Sequence, residues 1–497
     1  MSKADKHGEF RDAKDLRRGV TVNLIGYVTK SANPLLMALA TSLYGAAEWG
    51  VFIALQSAMM LVARVCLLGF DKALLWSVPR QEDGRPHGLL AALGIVAAAT
   101  TAITLVVWFF GAAVLSLFNH HGSASTALSD IADLETLRIM SLALLPFCAT
   151  ELLIHATMGK RKMGLQVFIR DGFTPAFIVV VAALLYFTPL QGVGLAYGFL
   201  ISHIASFGLA LLGFFRVFRG QLSGLGYRLQ SDMVRYAVPL WVTEFFNTLL
   251  QRLDVIVLAT LLDARSLGIY AVASQVANQF RGIRRAFDPM VLAIVSGIHA
   301  ENKDAFQKRL RTGFSHATNL VQKIQYPVFV VMVFLGPWIL GIFGSEFRAG
   351  STVLTSLCVL WLLNGVFGLC GMVILGFGKT TLFLIDTVLA VGIQYGLLLV
   401  LPKAYGLMGA AVAVGLSIVI QNIIQLFQMR KICNQWNYNN EAFSSFRYAV
   451  MAASATLLTY YSLAAASPLI QRVMMTGVFL AVYGILLLRE RKRASSG

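Results

Sequence analysis

Apolar stretches of about twenty residues recur along almost the whole chain, separated by short polar segments that carry most of the lysine and arginine. Each stretch is long enough to cross ~30 Å of hydrocarbon at ~1.5 Å per helical residue. Backbone polar groups in lipid must be satisfied within the spanning element, so only helices or closed barrels cross, and these runs are too continuous for the alternating strands of a barrel. The pattern therefore predicts an all-α polytopic membrane protein. Fourteen transmembrane helices are expected, at roughly 20–43, 49–71, 88–118, 137–158, 165–188, 193–215, 234–262, 267–298, 318–343, 351–377, 380–401, 405–428, 447–467 and 471–488.

Composition sharpens this picture. Of the 497 residues, 57% are hydrophobic and 13% charged, against about 25% charged in soluble domains. The first eighteen residues are polar and basic, but the span after them lacks a short apolar core followed by a small-residue cleavage site, so no removable signal peptide is expected. Cys66, Cys148, Cys358, Cys370 and Cys433 show no paired spacing, and neither a disulfide framework nor a metal site is expected from them.

A net charge of +17 raises nucleic acid as a partner until its placement is examined. With the N-terminus inside and fourteen spans, inner segments hold 28 of the 41 Lys and Arg, whereas outer loops hold five: Arg138, Arg265, Arg348, Lys403 and Arg472. That asymmetry is the positive-inside signature. It predicts cytoplasmic N- and C-termini and some attraction to anionic lipid, and leaves nucleic-acid binding without further support.

The expected organisation is a cytoplasmic tail (1–19), a first lobe of six spans (20–215), a basic linker (216–233), a second lobe (234–428), then a loop with two further spans (429–488) and a basic C-terminus (489–497). A weak internal repeat supports the two lobes. "AAEWGVFIALQS" (46–57) matches "ARSLGIYAVASQ" (264–275), pairing Ala46 with Ala264 and Gly50 with Gly268; after one residue of gap, "FDKALL" (70–75) matches "FDPMVL" (287–292). The offset of six spans predicts two pseudo-symmetric lobes of the same orientation, a plan in which transporters place their site at the repeat interface.

"RLDVIVLATLLDARSLGIYAVASQV" (252–276), with an acid early in span 7, a short outer loop and Gly-x-Tyr opening span 8, resembles the polysaccharide-transporter (Wzx-type O-antigen and exopolysaccharide flippase) branch of the multidrug/oligosaccharidyl-lipid/polysaccharide exporter superfamily. The resemblance implies a central cavity lined largely by spans 1, 2, 7 and 8 that opens alternately to each side. It also implies the cargo, an undecaprenyl-diphosphate-linked glycan moved to the outer leaflet of the bacterial cytoplasmic (inner) membrane. Membrane lipids and other glycan-assembly membrane proteins would be its partners. No cofactor is expected, with a proton or sodium gradient or the membrane potential as energy source.

Charge inside a span is costly and usually faces a bundle interior or a wet cavity. Arg281, Arg284, Arg285 and Asp288 stand at i, i+3, i+4 and i+7 of span 8, one helical stripe. Arg64 of span 2 matches Arg281 in the gapped repeat; Lys30 and Arg252 add cations on spans 1 and 7. Guanidinium offers fixed charge and paired donors that suit a diphosphate. The competing readings are structural pairing, as for Arg284 with Asp288 at i, i+4, and snorkelling to head groups. Asp254 on span 7, Glu151 with His155 at i, i+4 on span 4, Asp288, and Asp386 on span 11 are candidates for ion coupling or gating. For Glu151 with His155, Asp288 and Asp386 a structural hydrogen bond or ion pair is the plainer role, and for Asp254 interhelical pairing weighs equally with function. Arg170 and Asp171 read as interface anchors at the start of span 5. Pro34, Pro239 and Pro327 predict kinks in spans 1, 7 and 9.

Two other functions compete. A multidrug or metabolite antiporter of the same superfamily would favour buried acids for cationic cargo, whereas these spans carry more basic residues. A membrane enzyme of the same glycan pathway would need catalytic carboxylates or histidines at one membrane face. The longest outer loop has His120, His121, Asp130, Asp133 and Glu135 but no nucleotide-sugar or metal motif, so no enzyme activity is expected.

Overall fold

The structure, a computed structural model, describes residues 3–81, 85–118, 134–160, 162–219, 231–288, 291, 295, 303–462 and 467–495; side chains are described from 33 onward, apart from 114–118, 303–305, 441, 459–462 and 491–495. Every regular element among the described residues is helical. The histidine-bearing loop at 119–133 lies outside them, as does most of the expected linker.

α1 (Lys3–Leu67) runs for 65 residues, about three times what one crossing of a bilayer takes. Gly45, at φ 77° and ψ 177°, breaks it in two, a conformation that a Cβ would oppose. α2 (Phe70–Ser77), α3 (Leu89–Phe118), α4 (Leu134–Leu142) and α5 (Leu144–Gly159) follow. A π-helical stretch (Val167–Phe173) then opens α6 (Thr174–Tyr186), and α7 (Gly194–Val217), α8 (Ser231–Leu258) and α9 (Ala264–Arg285) continue the chain. Asp263 stands before α9 and accepts the Ser266 amide at 2.9 Å, an N-cap arrangement. Partial burial pushes its carboxyl up, but the hydroxyl and amide of Ser266 outweigh this and hold it below the usual carboxylate range.

By its contacts the chain forms two compact units, Met1–Gly268 and Ile269–Gly497. In the first, α1 packs on α6 and α8, α2 on α5 and α8, and α5 on α3 and α7. Small and branched side chains fill the seams, with Ala73, Leu74, Leu152, Ile154 and Ala156 fully enclosed.

The second unit contains α10 (Lys303–Phe334), α11 (Gly336–Gly341), α12 (Ser351–Phe367), α13 (Cys370–Gly376), α14 (Thr380–Cys433), α15 (Ser444–Ser462) and α16 (Pro468–Ser495). α14 spans 54 residues and is broken at Gly406 (φ 57°, ψ −140°). α10 and α14 both pack on α12, and the α15–α16 hairpin packs on α10. Phe314, Cys370, Val373 and Met429 form one core cluster, and Tyr326, Ala452, Phe479 and Tyr483 a second.

Eight of the described helices are long and apolar enough to cross a membrane, two of them the broken rods α1 and α14. Large apolar side chains stand outward on them, among them Phe109 at 72% and Leu184 at 67% exposure. In lipid such surfaces carry no hydrophobic penalty. α8, α9, α10 and α15 lie where further spans are expected but are not among the eight. The total of fourteen crossings thus rests on the sequence pattern.

Candidate functional site

In the first unit the charged residues of spans 2, 4 and 5 converge. Arg64, in the last turn of α1, reaches across the αL glycine Gly69 to Asp71 of α2, Nη1 to Oδ2 at 3.1 Å. His155 of α5 sits beside them, its Nε2 4.0 Å from Asp71 Oδ2 and its Nδ1 3.8 Å from Glu151 Oε2. The same Nδ1 lies 2.8 Å from the Glu151 carbonyl oxygen. A carbonyl only accepts, so Nδ1 carries a proton there. Arg170, on the π-helical stretch, closes the row by approaching Glu151 Oε2 at 3.5 Å. Asp71, Glu151 and His155 are all buried and offer ligand atoms within 4.8 Å of one another. That spacing alone would suit a metal ion, but each carboxylate already faces a guanidinium, so the formal charge closes at zero with the imidazole neutral.

This row ties α8 to the rest of its unit. Trp241 donates its indole N–H to the Arg64 carbonyl (3.0 Å), and Lys72 lies 3.8 Å from Glu244. Arg252, half-buried, points Nη2 at the Met60 sulfur (3.1 Å), and Asp254 is buried on the other side of α8. Lys30 falls among residues whose side chains are outside the description.

In the second unit the three arginines of α9 separate in role. Arg284 is buried and gives Nη1 to two acceptors, Asp288 Oδ1 at 3.0 Å and the Gly368 carbonyl at 2.8 Å. Gly368 follows the C-terminal turn of α12, where unpaired carbonyls attract a cation. The i, i+4 pairing of Arg284 with Asp288 weighed from the sequence is present: the three arginines share a side of the helix, but its middle member is packed. Arg281, half-buried, lies over the indole of Trp361 with 4.4 Å between guanidinium carbon and ring centroid, and Arg285 is exposed. Asp386, on the first half of α14, is buried and accepts the Gln428 amide from the second half at 2.7 Å.

A family model described as polysaccharide biosynthesis protein matches residues 43–351, well over half the chain. The chain belongs to the polysaccharide biosynthesis protein family. No curated protein matches it. Among solved structures, the lipid II flippase MurJ in an inward closed conformation superposes with TM-score 0.74 at 14% identity, covering 95% of this chain and 99% of that one. An inward-facing multidrug-resistance MATE transporter gives 0.65 at 13% identity, covering 84% and 98%. A superfamily transporter from Pyrococcus furiosus, with a binding pocket of reverse polarity, gives 0.59 at 12% identity, covering 84% and 95%. This member of the family therefore has the fold of the multidrug/oligosaccharidyl-lipid/polysaccharide exporters and is a multi-pass membrane protein, and these three similar structures are a flippase and two transporters.

The repeat noted in the sequence acquires a geometry in this family member. A Cβ on Gly50 would meet the Ala264 carbonyl oxygen, and one on Gly268 the Ala46 carbonyl oxygen, both closer than atoms can approach. The two repeat-related pairs thus face each other reciprocally, as a local two-fold relation requires. Several buried polar groups went unnoticed in the sequence. His203, enclosed by Phe147 and Phe199, donates Nδ1 to the Phe199 carbonyl at 2.8 Å. Gln322, Gln325, Asn364, Gln394 and Gln425 are buried amides of the second unit. Amides carry no charge to mark them in an apolar run; only their recurrence on three helices would have been a signal.

Proposed function

We propose that this protein is a flippase that carries an undecaprenyl-diphosphate-linked glycan from the cytoplasmic to the outer leaflet of the bacterial inner membrane, for O-antigen or exopolysaccharide assembly. Family membership supports a glycan pathway, and the shared fold of a lipid II flippase supports a lipid-linked cargo. The observation that carries the reading is α9: a helix with Arg281 set on an indole and Arg285 exposed, within an apolar protein. An indole face holds a guanidinium in place, and a guanidinium presents paired donors of fixed charge that match the oxygens of an anionic diphosphate. Arg252 and Lys30 are kept as candidate cargo contacts, whereas Arg64 is held by Asp71, and transport is proposed to proceed by alternating access. Glu151 with His155, Asp254, Asp288 and Asp386 are the candidates for coupling to a proton or sodium gradient.

The test is depletion of the protein in its native cell, with mass analysis of polyprenyl-linked intermediates. The reading expects a completed lipid-linked glycan to accumulate while surface polymer is lost, and expects Arg281→Gln with Arg285→Gln to reproduce this with normal membrane levels. Unchanged intermediates with new sensitivity to a cationic drug would instead establish the antiporter reading.

A further inference from the structure

The loop between α14 and α15 forms one wall of a cleft of about 460 Å³, lined by Arg311, Tyr438, Asn439, Asn440 and Phe443. Its construction is unusually complete for a loop. Asn434 ends α14 in the left-handed conformation. Gln435 donates to the Gln307 carbonyl (2.9 Å), and Gln307 returns a bond to the Cys433 carbonyl (3.2 Å). Ser315 donates to the Asn437 carbonyl and accepts the Asn439 amide, both at 3.0 Å. Tyr438 donates to the Val366 carbonyl (2.8 Å), and burial holds its phenol well above the ordinary value, so it stays neutral. These bonds satisfy the loop internally and fix its shape, which lowers the ordering cost of whatever binds there. Exposed toward the cleft are Arg311 and Asn440, with Phe443 43% exposed at its edge.

The surroundings are mainly basic and aromatic, with one acid, Glu441, in the sequence of the loop itself. Lys308, Arg309, Arg430, Lys431 and Arg447 are exposed near it in sequence, and Trp436, Phe446 and Phe427 are exposed aromatic rings of the same segments. Among the described lining residues there is no acid. Basic residues beside exposed Trp and Phe mark the water–lipid boundary, and on the expected topology this boundary is the cytoplasmic one. We propose that this cleft is a binding site for the phosphodiester head group of an anionic phospholipid. Arg311 takes the phosphate through its paired donors, Asn440 the glycerol oxygens, and Phe443 the start of an acyl chain. The site goes beyond the flippase reading and stands on different residues, all within the second unit.

The test uses the purified full chain in vesicles of one part phosphatidylglycerol to four parts phosphatidylcholine. Native mass spectrometry follows the lipids retained on extraction. The wild type is expected to keep phosphatidylglycerol in preference to phosphatidylcholine. Arg311→Gln is expected to weaken that retention about tenfold, whereas Arg430→Gln, a cation of the same segment that stacks on Trp436 outside the cleft, keeps it. Asn440→Ala serves as a second probe, and unfolding temperatures verify that each variant is folded. Equal retention by wild type and Arg311→Gln, or no preference between the two lipids, overturns the proposal. Stabilisation by soluble inorganic phosphate that is lost in Arg311→Gln, without lipid preference, overturns the lipid source and assigns the cleft to a free phosphate. Neither readout depends on transport.

Discussion

Arg64 and Arg284 show how a single side chain can mislead when read by type. Both are intramembrane arginines, and type alone marks them for an anionic cargo. In the structure Arg64 is held by Asp71, and Arg284 by Asp288 and a helix-end carbonyl. Removing one member of a buried pair leaves the other uncompensated, which costs about 3 kcal/mol. Asp71→Asn is therefore expected to destabilise the purified protein by that order, measured by unfolding in detergent, while Asp71→Asn with Arg64→Gln recovers part of the loss. Additive losses in that cycle would show that the pair has no energetic coupling. Arg284→Gln belongs to the same class: a fall in stability is expected before any specific loss of transport, which is why Arg281 and Arg285 are the informative pair for the cargo.

At the scale of elements, the N-terminal part of α9 and the part of α1 after Gly45 meet through Ala46, Gly50, Ala264 and Gly268. Small residues let helix backbones approach closely where lipid gives no hydrophobic drive to association. Since each glycine hydrogen lies against a carbonyl of the other helix, even one methyl must push the helices apart, an overpacking cost of about 1–3 kcal/mol. Gly50→Ala and Gly268→Ala are expected to lower the unfolding temperature. Gly208→Ala and Gly477→Ala, where a Cβ meets nothing within 4 Å, are expected to leave it unchanged or raise it by improving helix propensity. Equal behaviour of the four would mean that the crossing is not under steric constraint. The repeat that paired these residues was legible in the sequence, but only as two short matches; their mutual contact was not, because a repeat states which positions are equivalent and not that equivalent positions touch.

For the whole molecule, topology is the property most exposed to test. All five native cysteines are free and buried, so an impermeant maleimide has little background. A cysteine replacing exposed Lys403 is expected to label in intact cells, and one replacing exposed Lys431 only after permeabilisation; the reverse result would invert the orientation drawn from the distribution of lysine and arginine. Sequence by itself determined the class of the fold, because hydrocarbon leaves a backbone no alternative to regular spanning elements and a twenty-residue apolar run records that constraint locally. It also determined where the cations lie along the helices. Tertiary structure alone decided which of them are consumed. Asp71 comes to His155 and Arg170 to Glu151 from other helices, and Gly368 reaches Arg284 from 84 positions away. Pairing of that kind depends on distances across helix packing, which periodicity within one helix does not encode.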